Sequence, residues 1–68
     1  MSTMEERNQY RRILYFVMSE TKKGTVHTVK TIREMFPNIH PNRIRAYLDK
    51  GRLEKLITRR WRRDCYYY

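Results

Sequence analysis

Two prolines, Pro37 and Pro41, constrain the middle of this sequence more than any other residues. Proline has no backbone N–H and a fixed φ, so Pro37 cannot continue a helix that precedes it. Pro41 suits the first position of a helix that follows, where the missing N–H would have no partner. The connection between these positions is the short segment PNIH. The segment therefore predicts two helices joined by a tight turn.

Apolar residues repeat at helical spacing before and within this region. The first helix is predicted over about residues 4–20, with Thr3 and Glu6 in the positions of a capping box. The second is predicted over about residues 28–36, with Thr28 as its N-cap. The two apolar stripes comprise Tyr10, Ile13, Leu14, Val17 and Met18, and then Val29, Ile32, Met35 and Phe36.

A third helix is predicted over about residues 41–52. Its apolar side carries Ile44, Tyr47 and Leu48. Two ends are possible for it, because Gly51 suits a C-terminal cap, but the helix can also continue to about Lys55 at a cost of about 1 kcal/mol for the internal glycine. In both cases we expect Leu56 and Ile57 to enter the core.

The C-terminal segment reads ITRRWRRDCYYY. ITRR and DCYYY are rich in β-branched and aromatic residues, which predicts a β-hairpin over about residues 56–68 with WRR or WRRD as its loop. No Asn-Gly or Gly-Gly pair marks the turn. We expect the aromatic residues to cover the core on one face of the hairpin and the arginines to face solvent on the other. Val26 is a candidate for a further, minimal strand.

Charge is the strongest compositional signal of function. The 68 residues, enough for at most one small domain, carry a formal net charge of +9, and the isoelectric point is about 10.2. Residues 1–40 have seven basic and four acidic residues, whereas residues 41–68 have nine and three. Because Lys and Arg bind phosphates with release of counterions, this bias favours a nucleic acid as partner, with an acidic protein surface as the alternative.

Three helices followed by a hairpin, with a tight turn between the second and third, resemble the winged helix-turn-helix family over about residues 26–68. In an alignment with small repressors of the arsenic-sensor type, Gly51 stands where a leucine is expected and Lys55 where a glycine is. The matching residues are Tyr47, Leu48, Leu56, Ile57, Tyr66 and Tyr67. In an alignment with excisionase and MerR-like domains, Gly51, Leu53 and Trp61 match instead.

This resemblance implies an α+β, mostly helical fold, namely a three-helix winged helix-turn-helix with a C-terminal β-hairpin wing, formed by residues 1–68 as a single domain. It also implies a sequence-specific regulator of transcription, such as a repressor, that binds double-stranded DNA. The recognition helix, about residues 41–52, would enter the major groove, and the wing, about residues 58–64, would contact the phosphate backbone. The small size suggests a phage or virus as the source.

Arginine and asparagine suit base recognition, because arginine contacts guanine O6 and N7 together and asparagine contacts adenine in the same bidentate way. The residues predicted to bind DNA are Asn42, Arg43, Arg45, Arg52, Arg59, Arg60, Trp61, Arg62 and Arg63. Ordinary solvated charges on an amphipathic helix are the alternative interpretation. Trp61 either packs beneath the hairpin, which we favour, or stacks on a sugar or base. Lys30 is expected to contact the DNA backbone or to have no role.

Two other functions fit the same residues. The chain could be a small phage or viral factor that binds host RNA polymerase or another acidic protein surface, with Tyr15 and Phe16 as part of the contact. It could also be an RNA-binding module, in which Trp61 and the tyrosines stack on single-stranded bases.

Several classes of function are not expected. No Gly-rich phosphate loop or suggestive carboxylate pair indicates an enzyme or a cofactor. His27, His40 and Cys65 are too far apart in sequence to suggest a zinc site. No apolar run is long enough to span a membrane, and the N-terminus is acidic where a secretory signal is basic, so we expect a cytoplasmic protein, in the host cytoplasm if it is viral. The first helix lacks a clear heptad, which leaves a homodimer open.

Overall fold

Three helices and a C-terminal hairpin make up the fold. The computed structural model describes the backbone of residues 3–68 and the side chains from Met4 onward. The elements are α1 (Thr3–Lys22), α2 (Val29–Met35), α3 (Pro41–Leu53), β1 (Arg60–Arg62) and β2 (Cys65–Tyr67). The predicted layout, α+β and mostly helical with the hairpin last, is confirmed. The predicted cap at Thr3 depends on a side chain outside the described residues.

The core lies where α1 and α2 both pack against α3. Within residues 4–68 its buried members are Ile13, Leu14, Val17, Ile32, Ile39, Ile44, Leu48 and Ile57, each at most 8% exposed. Burying one such side chain stabilises the fold by about 1.5–3 kcal/mol. Partly buried aromatic rings, including those of Phe16, Phe36 and Tyr68, pack around this cluster.

The predicted cap at Thr28 and the predicted position of Pro41 at the start of α3 are confirmed, and His40 is a cap that the sequence did not predict. The Thr28 side chain accepts a hydrogen bond from the Thr31 N–H at 3.3 Å at the start of α2. At the start of α3, Nδ1 of His40 accepts one from the Asn42 N–H at 3.1 Å, and Pro41 occupies the first turn. These caps satisfy backbone donors that the helices leave without internal partners.

The third helix continues through Gly51 and ends at Leu53. Lys55 then adopts a left-handed conformation, with φ of 61°. The Leu56 N–H donates to the Gly51 carbonyl at 2.9 Å and the Lys55 N–H to the Arg52 carbonyl at 3.0 Å. These two bonds are those of a Schellman motif, in which glycine is the usual left-handed residue. Lys55 thus takes the conformation of the glycine expected there in the repressor alignment.

The hairpin is shorter and its turn tighter than predicted. Arg62 and Cys65 are paired, so the loop contains only Arg63 and Asp64, with φ of 46° and 69°. Positive φ at both loop residues is the pattern of a type I′ turn, which matches the twist of the paired strands. The predicted loop of WRR or WRRD is therefore wrong, and Trp61 lies within β1. The first strand begins at Arg60 rather than near residue 56.

Some of the predicted core residues are exposed. Leu56 is 49% exposed, because after the left-handed turn at Lys55 it is the next residue, Ile57, that points into the core. Met18 and Met35 lie at the edges of their stripes and are 37% and 58% exposed. Conversely, Ile39 is buried although it lies in the connection between α2 and α3.

Candidate nucleic-acid interface

The outer face of α3 is available for contacts because its opposite face is in the core. Ile44 and Leu48 are fully buried, whereas Asn42, Arg45 and Asp49 are exposed. This separation follows from helical geometry, since each residue is rotated by about 100° from its neighbour. Pro41 and the His40 cap fix where the helix begins and therefore which residues face outward.

This face of α3 forms one wall of an open groove, which we name the α3 groove. The N-terminal turn of α2 and the hairpin complete it. Its lining comprises Thr28, Val29, Lys30, Asn42, Arg45, Ala46, Asp49, Arg59, Cys65, Tyr66 and Tyr68. Three of these side chains are cationic and one, Asp49, is anionic. The groove therefore combines positive charge from α2, from α3 and from Arg59, just before β1, with the amide of Asn42.

Asp49 already forms an ion pair with a basic side chain of the same helix. Nη2 of Arg52 lies 2.8 Å from Oδ1 of Asp49, one turn of α3 away. The ion pair reduces the local effect of the single acid in the groove. The same ion pair holds the Arg52 guanidinium close to α3. Among the described residues that line the groove, Arg52 is not included.

Arg43, predicted to bind DNA together with Asn42 and Arg45, occupies a different position. It is half-buried, and within residues 4–68 it is not among the groove-lining side chains. Arg43 and Arg45 are only two positions apart along the chain, but the helix rotates them to different sides of its axis. The structure thus brings together Asn42, Arg45 and Arg59 from the predicted set, and adds Lys30.

The hairpin carries its arginines on both faces. Trp61 pairs with Tyr66, and their ring centroids are 4.7 Å apart. The guanidinium carbon of Arg59 lies 3.9 Å from the centroid of the Tyr66 ring on the same face. Arg60 and Arg62 pair with Tyr67 and Cys65, so they project from the opposite face. Arg63 is exposed in the turn.

The expected division of the hairpin into an aromatic inner face and an arginine outer face is wrong. Trp61 is 59% exposed and Tyr66 is 41% exposed, so neither ring covers the core and Trp61 does not pack beneath the hairpin. Tyr68, which follows β2, is the hairpin aromatic that packs against the core. Neither strand of the hairpin packs extensively on a helix, so the hairpin has little apolar surface on which to bury more rings.

His27, which lies just before α2, makes side-chain contacts with both α1 and α2. The His27 Nε2 is 2.8 Å from Oε1 of Glu20, and its Nδ1 is 3.2 Å from the Thr31 hydroxyl. The hydrogen bond with His27 lowers the pKa of Glu20; lost hydration opposes this shift, and the nearby charge of Lys23 adds to it. His27 thereby connects the end of α1 to the first turn of α2.

A second connection, between α1 and α3, lies beside another cluster of basic residues. The Tyr10 hydroxyl donates to the Glu54 carboxylate, and the Lys50 ammonium lies 4.8 Å from the Tyr10 ring centroid. Burial, followed by the hydrogen bond and the charge of Glu54, raises the pKa of Tyr10 to about 12. Tyr10 and Lys50 line a shallow cleft with Arg7 and Arg11. The helical pattern predicted Tyr10 as a core residue but gave no signal for this cleft.

Within residues 3–68, no helix is both long and apolar enough to cross a membrane. In the same part of the chain, no three His, Cys, Asp or Glu side chains are arranged to hold a metal ion. Comparisons of the chain with models of protein families, with curated proteins and with solved structures gave no match. The function is therefore inferred from the arrangement of the residues.

Proposed function

We propose that this chain is a small transcriptional regulator that binds double-stranded DNA sequence-specifically, with α3 in the major groove and the hairpin on the phosphate backbone. Such a regulator acts in the cytoplasm, which is that of the host if the chain is viral. The single observation that carries the proposal is the α3 groove, where Asn42 and Arg45 on the exposed face of α3 share a lining with Lys30 of α2 and with Arg59, just before β1.

The roles of these residues follow from their chemistry. Asn42 and Arg45 lie in the first two turns of α3, the part of a recognition helix that lies closest to the base edges. Lys30 and Arg59 flank them and suit phosphate oxygens. Arg60, Arg62 and Arg63 add positive charge along the hairpin. Arg43 and Arg52 take a smaller part in this proposal, because Arg52 is paired with Asp49 and Arg43 is half-buried away from the groove.

The proposal is tested by selecting a preferred duplex from a randomised pool and measuring its affinity against a scrambled duplex by fluorescence anisotropy. Arg45→Ala should cost about 1–3 kcal/mol with the selected duplex and much less with the scrambled one, because it removes a base contact. Arg62→Ala should weaken both duplexes equally and reduce the salt slope by about one, because it removes a phosphate contact.

The matched control is Arg12→Ala, which removes one exposed arginine from α1, outside the residues that line the α3 groove. It should change the affinity for the selected duplex far less than Arg45→Ala does. Equal effects of the two substitutions, or the absence of any preferred duplex in the selected pool, would contradict sequence-specific binding through α3.

A second candidate, binding of host RNA polymerase or another acidic protein surface, is favoured by one observation. Tyr15 is 70% exposed on α1, whereas its neighbour Phe16 packs against Phe36 and His27. In this case, the pure protein would not retard duplex DNA. It would recover the polymerase from a nuclease-treated extract, and Tyr15→Ala would abolish that recovery.

A further inference from the structure

The exposed face of the hairpin carries a row of three side chains in contact: Arg59, Tyr66 and Trp61. The Arg59 guanidinium lies over the Tyr66 ring, with 3.9 Å between its central carbon and the ring centroid. Trp61 meets the same ring at 4.7 Å between centroids and at an interplanar angle of 68°. The row thus leads from the α3 groove, which Arg59 and Tyr66 line, toward the turn of the hairpin.

Trp61, at the outer end of this row, contributes little to the stability of the fold. Trp61 is 59% exposed, so most of its indole surface remains in water. A large aromatic side chain stabilises a protein mainly by burial, and a cross-strand ring pair adds only modestly to a hairpin. The exposed indole is therefore open to a planar ligand that reaches the hairpin.

The surroundings of the row define the chemistry of that ligand. Arg60, Arg62 and Arg63 are exposed on the same hairpin, so a planar group that carries phosphates is electrostatically complementary to it. A nucleobase within a duplex is paired and stacked, which leaves only its edges in the grooves. An unpaired base offers its whole face, and stacking on aromatic side chains is how proteins hold single-stranded nucleic acid.

We propose that Trp61, supported by Tyr66 and Arg59, stacks on an unpaired nucleobase next to the duplex held by α3. The preferred ligand is then a duplex with a single-stranded extension rather than a fully paired one. The duplex part of this ligand rests on the proposed function, whereas the stacking site rests on the hairpin alone.

The test uses four DNA probes and two readouts. The probes are a blunt duplex, the same duplex with a short unpaired extension, the same duplex with an abasic extension, and the extension strand alone. Anisotropy of a label on the DNA reports binding, and tryptophan emission reports stacking, because Trp61 is the single tryptophan of the chain. The abasic extension is the matched control, because it keeps the phosphates and removes the bases.

We expect the duplex with the normal extension to bind about tenfold more tightly than the duplex with the abasic extension. Trp61 emission should be quenched only by the probes that carry unpaired bases. Trp61→Ala and Trp61→Leu should remove this difference between the normal and the abasic extension. Trp61→Phe should retain part of the difference, because it keeps an aromatic face. Circular dichroism of each variant verifies that the helices are intact.

Equal affinities for the normal and abasic extensions, with unquenched emission, would overturn the stacking site while leaving duplex binding in place. Failure of the blunt duplex to bind would instead overturn the proposed function. In that case the extension strand alone tests the stacking site. Quenching of Trp61 emission by this strand supports the site, and unchanged emission refutes it.

Discussion

His27 and Tyr68 exchange both of their backbone hydrogen bonds, with N···O distances of 3.0 and 2.8 Å. This reciprocal pair adds one residue of the loop before α2 to the edge of the hairpin, next to β2. The minimal strand predicted at Val26 is thus replaced by a pairing one residue later. The pair fixes the base of the hairpin to the helices, and so fixes Arg59 and Tyr66 beside α3.

The first prediction concerns this attachment. Tyr68→Ala removes a side chain that packs against the core, and should lower the free energy of unfolding by about 1–2 kcal/mol. Hydrogen exchange of the His27 amide should accelerate at the same time. Tyr66→Ala is the control, because that ring is 41% exposed, and should cost less than about 1 kcal/mol. Equal losses in urea denaturation would argue against an anchoring role for Tyr68.

The hairpin turn gives a second prediction. Asp64 has φ of 69° in the two-residue loop, where glycine is the favoured residue. Asp64→Gly should therefore raise the free energy of unfolding by about 0.5–1 kcal/mol, and Asp64→Val should lower it by about 1–2 kcal/mol because a β-branched residue strongly disfavours positive φ. Thermal denaturation measures both changes. A stabilising valine would mean that the loop is not of type I′.

Gly51 gives a third prediction, because it allows α3 to approach α1 closely. A Cβ at this position would lie 2.6 Å from Cδ1 of Leu14, which is buried. Alanine gains about 1 kcal/mol in helix propensity, but overpacking costs about 1–3 kcal/mol, so Gly51→Ala should destabilise the fold by about 1 kcal/mol.

Gly51→Ala made together with Leu14→Ala separates the gain in helix propensity from the cost of overpacking. The truncated side chain leaves room for the new methyl group, so Gly51→Ala should then be stabilising. Urea denaturation of the four proteins in this cycle measures the coupling. Stabilisation by Gly51→Ala in the otherwise unchanged chain would show that the contact with Leu14 relaxes at no cost.

The hydrogen bond between Glu20 and His27 gives a fourth prediction, on the dependence of stability on pH. The pKa of Glu20 is lowered in the folded protein, so its contribution is present above the ordinary carboxyl value of 4.5 and is lost as the pH falls through the lowered pKa. Acidification from about pH 6 to about pH 3 should therefore destabilise the unchanged chain more than Glu20→Gln. Glu34→Gln, which neutralises an exposed glutamate of α2, is the control and should retain the full acid sensitivity. Identical pH profiles for the unchanged chain and Glu20→Gln would refute this role of Glu20.

Periodicity and proline placement predicted the order of the elements and much of the core. Ile13, Ile32 and Ile44 occupy the buried stripes that their spacing indicates. Ile39 was missed because helical periodicity does not extend into a connection. The turn at Arg63 and Asp64 was missed because no Asn-Gly or Gly-Gly pair marks it.

The candidate site was predicted in composition but not in arrangement. The charge of residues 41–68 predicted which part of the chain binds a polyanion. It did not indicate that Arg45 lines the α3 groove and Arg43 does not, which follows from the rotation of successive residues about the axis of α3. That difference could be derived from the stripe of Ile44 and Leu48. The contact of Arg59 with Tyr66 could not be, because it depends on the strand register, which a two-residue turn determines.

The fifth prediction is the most direct test of the central claim, that the α3 groove is the DNA-binding surface. Backbone amide resonances are followed by NMR while the selected duplex is added at low and at high salt. We expect the largest shifts at Lys30, at residues 42–49 and at residues 59–63, with weaker binding at high salt. Shifts confined to the cleft around Tyr10 and Lys50, or no shifts at either salt concentration, would contradict the account.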